Sequence, residues 1–422
     1  MTLFKTSILN GFAVLARVGT ALVLNKVLAV YVGPAGYAVI GQFQSLVAMV
    51  MGIASGAIGT GVTKYTAEYH DRPELQRTVW RTAAAMALAG SAVGAALLLF
   101  AQEPLAAWLL ADPAYASVFA WLALSLTLMV ANGLMLAIMN GKKAIAPFVL
   151  ANIAGSVIGA GVSLSLVVAY GLYGALVALG LGQAVSCLVT AWLFRKACAI
   201  RWRDLWGGFD PASARRLAGF ALMAVVSAIV VPVSQMVIRD RLGVMLGLHT
   251  TGLWQAMWRI SDLHLMLITS TLTVYFLPRF SELPAGPALR GEVLKAYRFV
   301  IPLVLATSTT LYLLKHILVR GLLTADFLPL TEALGWQLVG DTMKICSWVA
   351  GYTLISHARI TLFMASEIVF SAILVGLTII GAHFDGLRGT ALGYTGTYLL
   401  HAATMLGLLF WLTQTKSLGN KK

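Results

Sequence analysis

Apolar residues fill the chain in runs of about twenty, each closed by a short polar segment, and the pattern repeats from one end to the other. A helix needs roughly 20 apolar residues to cross the hydrocarbon core of a bilayer, and an unpaired backbone cannot sit there. Twelve such runs can be marked, at about 8–32, 38–62, 82–101, 116–139, 146–169, 175–194, 217–238, 252–277, 299–319, 335–356, 361–381 and 389–413. The short alternating segments of a membrane β-barrel are absent. The pattern predicts an all-α polytopic membrane protein. No connecting segment on this map exceeds about 25 residues, which leaves no room for a soluble domain.

Composition agrees with a lipid environment. Of 422 residues, 59% are hydrophobic and 11% charged, against about 25% charged in an average soluble domain. The net charge of +14 would suggest nucleic acid in a soluble protein. Here the basic residues gather in the short connections, so no nucleic-acid partner is expected. On one side fall twenty-one of them, among them Lys64, Arg77, Arg81, Arg195 and Lys295, together with both tails. The other side carries only Arg239, Arg241, Arg320 and Arg388. Cytoplasmic connections carry the excess of Lys and Arg, so both termini are expected in the cytoplasm of a bacterial inner-membrane protein. Cys187, Cys198 and Cys346 show no disulfide or zinc spacing. The first apolar run is too long for a cleavable signal and carries Arg17 and Lys26.

Two stretches echo each other. Gly33-Pro34-Ala35-Gly36 precedes a run ending in Thr63-Lys64-Tyr65; about 215 residues later Thr250-Thr251-Gly252 precedes a run ending in Pro278-Arg279-Phe280. This spacing predicts two parallel six-helix lobes, at 1–200 and 217–422, joined by a cytoplasmic linker at 201–216. Transporters built from such repeats bind substrate between them.

Charge inside a bilayer costs several kcal/mol and usually faces a cavity or a partner. Arg17 sits about nine residues into the first run and reads either as an anion contact or as half of a structural ion pair. Lys26, nine positions on, falls on the opposite face and is near enough to the interface to snorkel. Arg259 and Asp262 are three apart, as are Asp341 and Lys344, so each pair shares a helix face. Either each pair neutralises itself, or its members trade partners as a cavity opens and the released acid takes up a proton. Trp254-Gln255 and Trp336-Gln337 suit stacking on a sugar, or equally an interfacial aromatic belt. Lys315 and His316 are expected to snorkel, His264 is either a proton carrier or a satisfied interior residue, and Glu367 stands as an unpaired acid. Gly52-x-x-x-Gly56, Gly90-x-x-x-Gly94 and Gly155-x-x-x-Gly159 permit close helix packing. The sequence has no His/Cys cluster, P-loop or nucleotide-binding glycine turn, so neither cofactor nor enzyme activity is expected.

Four further stretches carry a family resemblance: Leu28 through Gly36, Gly61 through Asp71, Trp254-Gln255 with Ile260-Ser261-Asp262, and Trp336-Gln337-Leu338-Val339-Gly340-Asp341. With them the chain resembles the Wzx-type polysaccharide flippases of the multidrug/oligosaccharidyl-lipid/polysaccharide exporter superfamily, and within it the branch that moves lipid III of enterobacterial common antigen. The resemblance implies a MATE-like fold, alternating access and an undecaprenyl-diphosphate-linked oligosaccharide as cargo. A glycan polymerase and a chain-length regulator in the same membrane are its implied partners. It places cargo binding on Arg17, Lys26, Lys64 and Lys344, and coupling or gating on Asp262 and Asp341. Arg259 joins the cargo-binding candidates as a cation inside the eighth run, and has no confident counterpart in the family pattern. A cation-coupled drug exporter of the same superfamily is the second reading, which the cations of the first run oppose. A membrane glycan-processing enzyme is the third, and lacks a site.

Overall fold

The computed structural model describes residues 3–55, 58–198, 200, 202–284, 286–357 and 359–415. Arg201, Lys416, Lys421 and Lys422, counted above on the cytoplasmic side, lie outside them. Thirteen α-helices occur among the described residues: α1 Leu3–Tyr31, α2 Gly33–Ser55, α3 Ile58–Glu68, α4 Pro73–Phe100, α5 Gln102–Leu109, α6 Ala116–Gly141, α7 Ile145–Cys198, α8 Pro211–Thr271, α9 Leu277–Glu282, α10 Pro287–Leu313, α11 Lys315–Leu322, α12 Leu330–Ser356 and α13 Ile360–Thr415. The chain is a multi-pass helical membrane protein.

Thirteen helices do not map one to one onto twelve apolar runs, and the reasons are local. α7, α8 and α13 each hold two runs folded back on a non-helical turn, at Gly171, Gly247 and Asp385-Gly386. Each of these glycines has positive φ, which a residue without a Cβ adopts at little cost. α5, α9 and α11 are too short to span. The run expected to 319 stops at Leu313, and the chain restarts as α11. Among the described residues seven stretches are long and apolar enough to cross a membrane: Val14–Tyr31, Gly33–Glu68, Pro73–Phe100, Pro113–Gly141, Ile145–Cys198, Pro287–Leu313 and Thr361–Trp411. The two long helices outside that set, α8 and α12, carry Arg239, Arg259 and Asp262, and Asp341 and Lys344.

The contacts divide the chain into two compact units. Residues up to Val32 together with Val39–Val233 make the first; Gly33–Ala38 and the residues from Ser234 onward make the second. Small residues bring helices together in the first unit as expected. A Cβ on Gly52 would strike Ala228, and one on Gly90 would reach the Ala54 carbonyl at 2.5 Å. Gly182 packs on the Gly159 backbone at 3.3 Å. The segment before α8 is strapped to α4: Arg77 Nε pairs with Asp204 Oδ1 at 3.2 Å, and the Asp210 amide donates to Thr82 Oγ1 at 3.2 Å. Asp210 caps the first turn of α8 by accepting from the Ser213 amide at 2.8 Å. The Ser213 hydroxyl and amide hold its carboxyl below the usual carboxylate range.

In the second unit the Gly33-Pro34 turn is wedged against α8. A Cβ on Gly252 would overlap the Pro34 carbonyl, so only glycine lets the two backbones meet there. This contact explains why residues 33–38 group with the C-terminal helices. A core of Leu265, Ile268, Leu272, Phe276, Phe280, Val293, Val300, Val304, Ile345 and Val349 joins α8, α9, α10 and α12. We predict that Gly252→Ala lowers stability by about 1–3 kcal/mol through overpacking. The thermal midpoint of the detergent-solubilised chain should fall; an unchanged midpoint contradicts the wedge.

Candidate functional site

The second unit holds three cations and two acids on α8 and α12. Arg239, Arg259, Asp262, Asp341 and Lys344 act on one another electrostatically. One net positive charge remains among the five.

The face of α12 that carries 337, 340, 341, 344 and 348 follows helical spacing. Gln337 is fully buried and donates from Nε2 to Ser261 Oγ on α8 at 3.0 Å. Gly340 leaves room for the Tyr394 ring, which a Cβ there would overlap. Tyr394 Oη then donates to Asp341 Oδ1 at 2.8 Å. The other carboxylate oxygen, Oδ2, faces His264 Nδ1 at 3.6 Å. Lys344 turns to neither acid within pairing distance. Its ammonium lies 5.2 Å from the Trp258 ring, 5.1 Å from Trp348, 5.9 Å from Tyr394 and 5.2 Å from Tyr398. Four aromatic rings, with a hydrogen bond to Tyr398, thus take the place of its hydration, an attraction that strengthens as the cation is desolvated. Self-neutralisation of Asp341 by Lys344 at contact distance is therefore not what the structure shows.

α8 supplies the rest. Arg239 is counted with the outer connections when only distance along the chain is considered; the structure corrects this. Its guanidinium is buried, donates from Nε to Gln255 Oε1 at 2.7 Å and from Nη2 to Gln235 Oε1 at 3.4 Å, and lies 5.7 Å from the Trp254 ring. Arg239 and Gln255 stand eight residues either side of the Gly247 turn, so the hairpin brings them level. Arg259, four positions after Gln255, lies over the Tyr37 ring at 4.9 Å. Asp262 is exposed, with Lys344, Asp341, Arg259 and Arg239 all acting on its carboxylate.

The two Trp-Gln pairs differ in their surroundings. Trp254 is 1% exposed and Gln255 is engaged by Arg239. Trp336 is partly exposed, and its carbonyl accepts from Thr395 Oγ1 at 2.6 Å. Lys315 donates to the Thr331 carbonyl at 3.1 Å and lies over Tyr312 at 4.3 Å. Glu367, expected as an unpaired acid, has partners.

The remaining expected residues belong to the first unit. Arg17 is exposed and Lys26 half-buried on α1. Lys64, exposed on α3, lies 5.2 Å over Tyr65. Tyr65 stacks on Tyr69 at 5.9 Å, and Tyr69 Oη accepts from Arg216 Nη1 at 2.8 Å. The neighbouring Thr66 is a structural brace, accepting from Trp80 Nε1 at 2.9 Å and from Gln76 Nε2 at 2.6 Å. Among the described residues no group of three His, Cys, Asp or Glu could hold a metal ion.

Residues 15–332 match the family model described as polysaccharide biosynthesis protein. The chain belongs to this family. It is 33% identical over 417 residues to the lipid III flippase of Escherichia coli K12, an alignment that covers 97% of this chain and 99% of that one. The lipid III flippase of Shigella flexneri matches to the same extent. Among solved structures, an inward-facing multidrug resistance MATE family transporter of the MOP superfamily superposes with a TM-score of 0.79 at 16% identity, covering 97% of this chain and 99% of that one. A MOP superfamily transporter from Pyrococcus furiosus, reported to have reversed polarity in its binding pocket, gives 0.73 at 17% identity, covering 96% and 95%. These two establish the MATE-like fold of this family member.

We predict that Tyr394→Phe strands a buried carboxylate oxygen of Asp341 and costs about 1–3 kcal/mol. A thermal midpoint equal to that of the unaltered chain would show that the Tyr394 hydroxyl does not hold Asp341.

Proposed function

We propose that the chain moves an undecaprenyl-diphosphate-linked oligosaccharide, lipid III or a similar O-antigen unit, from the cytoplasmic to the periplasmic leaflet of a bacterial inner membrane. Both termini face the cytoplasm in this reading. Alternating access of the lobes at 1–200 and 217–422, through twelve crossings, carries the cargo, and a glycan polymerase and chain-length regulator act downstream in the same membrane.

The observation that carries the reading is the buried excess of cations on α8 and α12, in a chain aligned end to end with lipid III flippases. A diphosphate-linked cargo is anionic, and fixed cations in a medium of low dielectric attract anions over long range. Arg259 contacts the anion directly, while Lys344 acts through its field from inside its aromatic sheath. Lys64, beside the Tyr65–Tyr69 stack at the expected cytoplasmic end of α3, meets the diphosphate on entry. Arg17 and Lys26 carry it along α1. Asp262 and Asp341 act on the cations through their fields and gate the exchange.

Deleting the gene in the native host should abolish the surface glycan and pile up the lipid-linked unit in the cytoplasmic leaflet. The unaltered chain should restore it, and Arg259→Gln combined with Lys344→Gln should restore at least about tenfold less at equal membrane level, a loss of ~1.4 kcal/mol. Arrival of the unit in the periplasm of the deletion strain, with no redundant flippase present, overturns the reading.

A further inference from the structure

From the cleft at the C-terminal end of α7 and the exposed face that leads into it, we infer that Arg195 and Lys196 bind the headgroup of an anionic glycerophospholipid, with Trp192 and Leu188 against its apolar part. The site belongs to the first unit alone and uses none of the cations of α8 and α12, so it does not rest on the anionic-cargo reading.

The last turns of α7 bury one face: Ser186, Cys187, Thr190, Leu193 and Phe194 point into the first unit. The opposite face carries Leu188, Trp192, Arg195 and Lys196 at helical spacing, and all four are exposed. Along this face an aliphatic side chain gives way to an indole and then to two cations. A phospholipid presents its partners in the same order, from acyl chain through the interfacial region to phosphate. The cationic end is concave. A cleft of about 570 Å³ is lined by Ala191, Trp192, Arg195 and Lys196, within the span of small-ligand sites, about 300–1,000 Å³. Lys196 Nζ lies 5.1 Å from the Trp192 ring, which anchors the ammonium over the indole. Arg195 adds a planar fork of donors that suits two phosphate oxygens at once.

The turn between α6 and α7 adds to the charge. Lys142 lies 5.0 Å over the Trp80 ring and acts electrostatically on Cys198, the last residue of α7. Lys143, also exposed, follows at a φ of 56°, a conformation that glycine adopts with less strain. Among the described residues none of Lys142, Lys143, Arg195 and Lys196 is in an ion pair. Glu74 and Asp204, acids of the same unit, are both engaged by Arg77. A helix C-terminus favours cations through its dipole, but the dipole asks for neither a cleft nor an indole beneath the lysine. A free phosphate would fill the cationic end and leave the Leu188–Trp192 stripe bare, whereas an acyl chain covers it.

The test is native mass spectrometry of the full chain in detergent with equimolar phosphatidylglycerol and phosphatidylethanolamine of matched acyl chains. Both are phosphodiesters, and only the first carries net negative charge. The unaltered chain should retain phosphatidylglycerol at least about fivefold over phosphatidylethanolamine, what one basic residue contributes near an anionic surface. Arg195→Gln with Lys196→Gln should abolish the preference. Trp192→Leu, which keeps every charge, should reduce it about twofold or more, the size of an exposed cation–π contact. Arg72→Gln with Arg215→Gln removes the same charge from exposed residues elsewhere in the unit and should leave the preference intact. All five side chains are exposed, so the variants should keep the thermal midpoint of the unaltered chain; should the Arg195–Lys196 variant lose it, Trp192→Leu decides. Equal retention of the two lipids by the unaltered chain, an equal loss in both double variants, or no loss in Trp192→Leu overturns the site. Excess inorganic phosphate or equimolar undecaprenyl diphosphate should not release the bound phosphatidylglycerol. Release by the first would make this a phosphate site, and release by the second a cargo station; either overturns the phospholipid assignment.

Discussion

An ammonium group leaves water only if something takes the place of its hydration, and Lys344 meets this demand with four aromatic rings. Around that solution the second unit is organised. Trp258 comes from α8, Trp348 from α12, Tyr394 and Tyr398 from α13, so the cation can be housed only when three helices are docked in register. Rings do not neutralise a charge as a carboxylate does. The field of Lys344 survives burial, whereas a salt bridge to Asp341 would have cancelled much of it. Arg239 also has neutral partners, the side-chain carbonyls of Gln255 and Gln235 accepting from its guanidinium.

Asp341 is the counterweight. It is fully buried, one oxygen is satisfied by Tyr394, and the other points at an imidazole across a gap too wide for a hydrogen bond. Its neighbour Asp262 differs in being exposed while lying under the influence of the same cations. The two acids, each three positions from a cation on its own helix, therefore sit in different surroundings, Asp341 buried and Asp262 exposed.

The fold was legible because apolar length alone dictates a spanning helix, and the Gly-Pro turn after α1 marked a real junction. Twelve runs map onto thirteen helices because α7, α8 and α13 each hold two runs that meet at a non-helical turn, while short helices such as α5, α9 and α11 add to the number. Of the site, the helical spacing of Arg259 with Asp262 and of Asp341 with Lys344 was readable, since both pairs sit on one α8–α12 cluster. Arg239 was not, because counting basic residues by distance from a span end cannot see a hairpin that folds the end inward. The ring cage was hidden for a similar reason: Trp258, Trp348 and Tyr398 come together only in three dimensions. One trace of it existed in the sequence. Tyr394, Tyr398 and His401 recur at helical spacing along an apolar helix, as Trp254 and Trp258 do along α8. Of the Trp-Gln pairs, Trp254 and Gln255 lie against Arg239, whereas the Trp336 ring stays exposed.

The claim on which the account stands is that undischarged positive charge in the second unit recognises the anionic head of a lipid. Native mass spectrometry of the full chain with equimolar undecaprenyl diphosphate and undecaprenol tests it directly, since the two lipids share a tail and differ only in charge. The account predicts retention of the diphosphate over the alcohol, and loss of that preference when Arg259 and Lys344 are both replaced by glutamine. Equal retention of the two lipids by the unaltered chain, or a preference that survives both replacements, would contradict it.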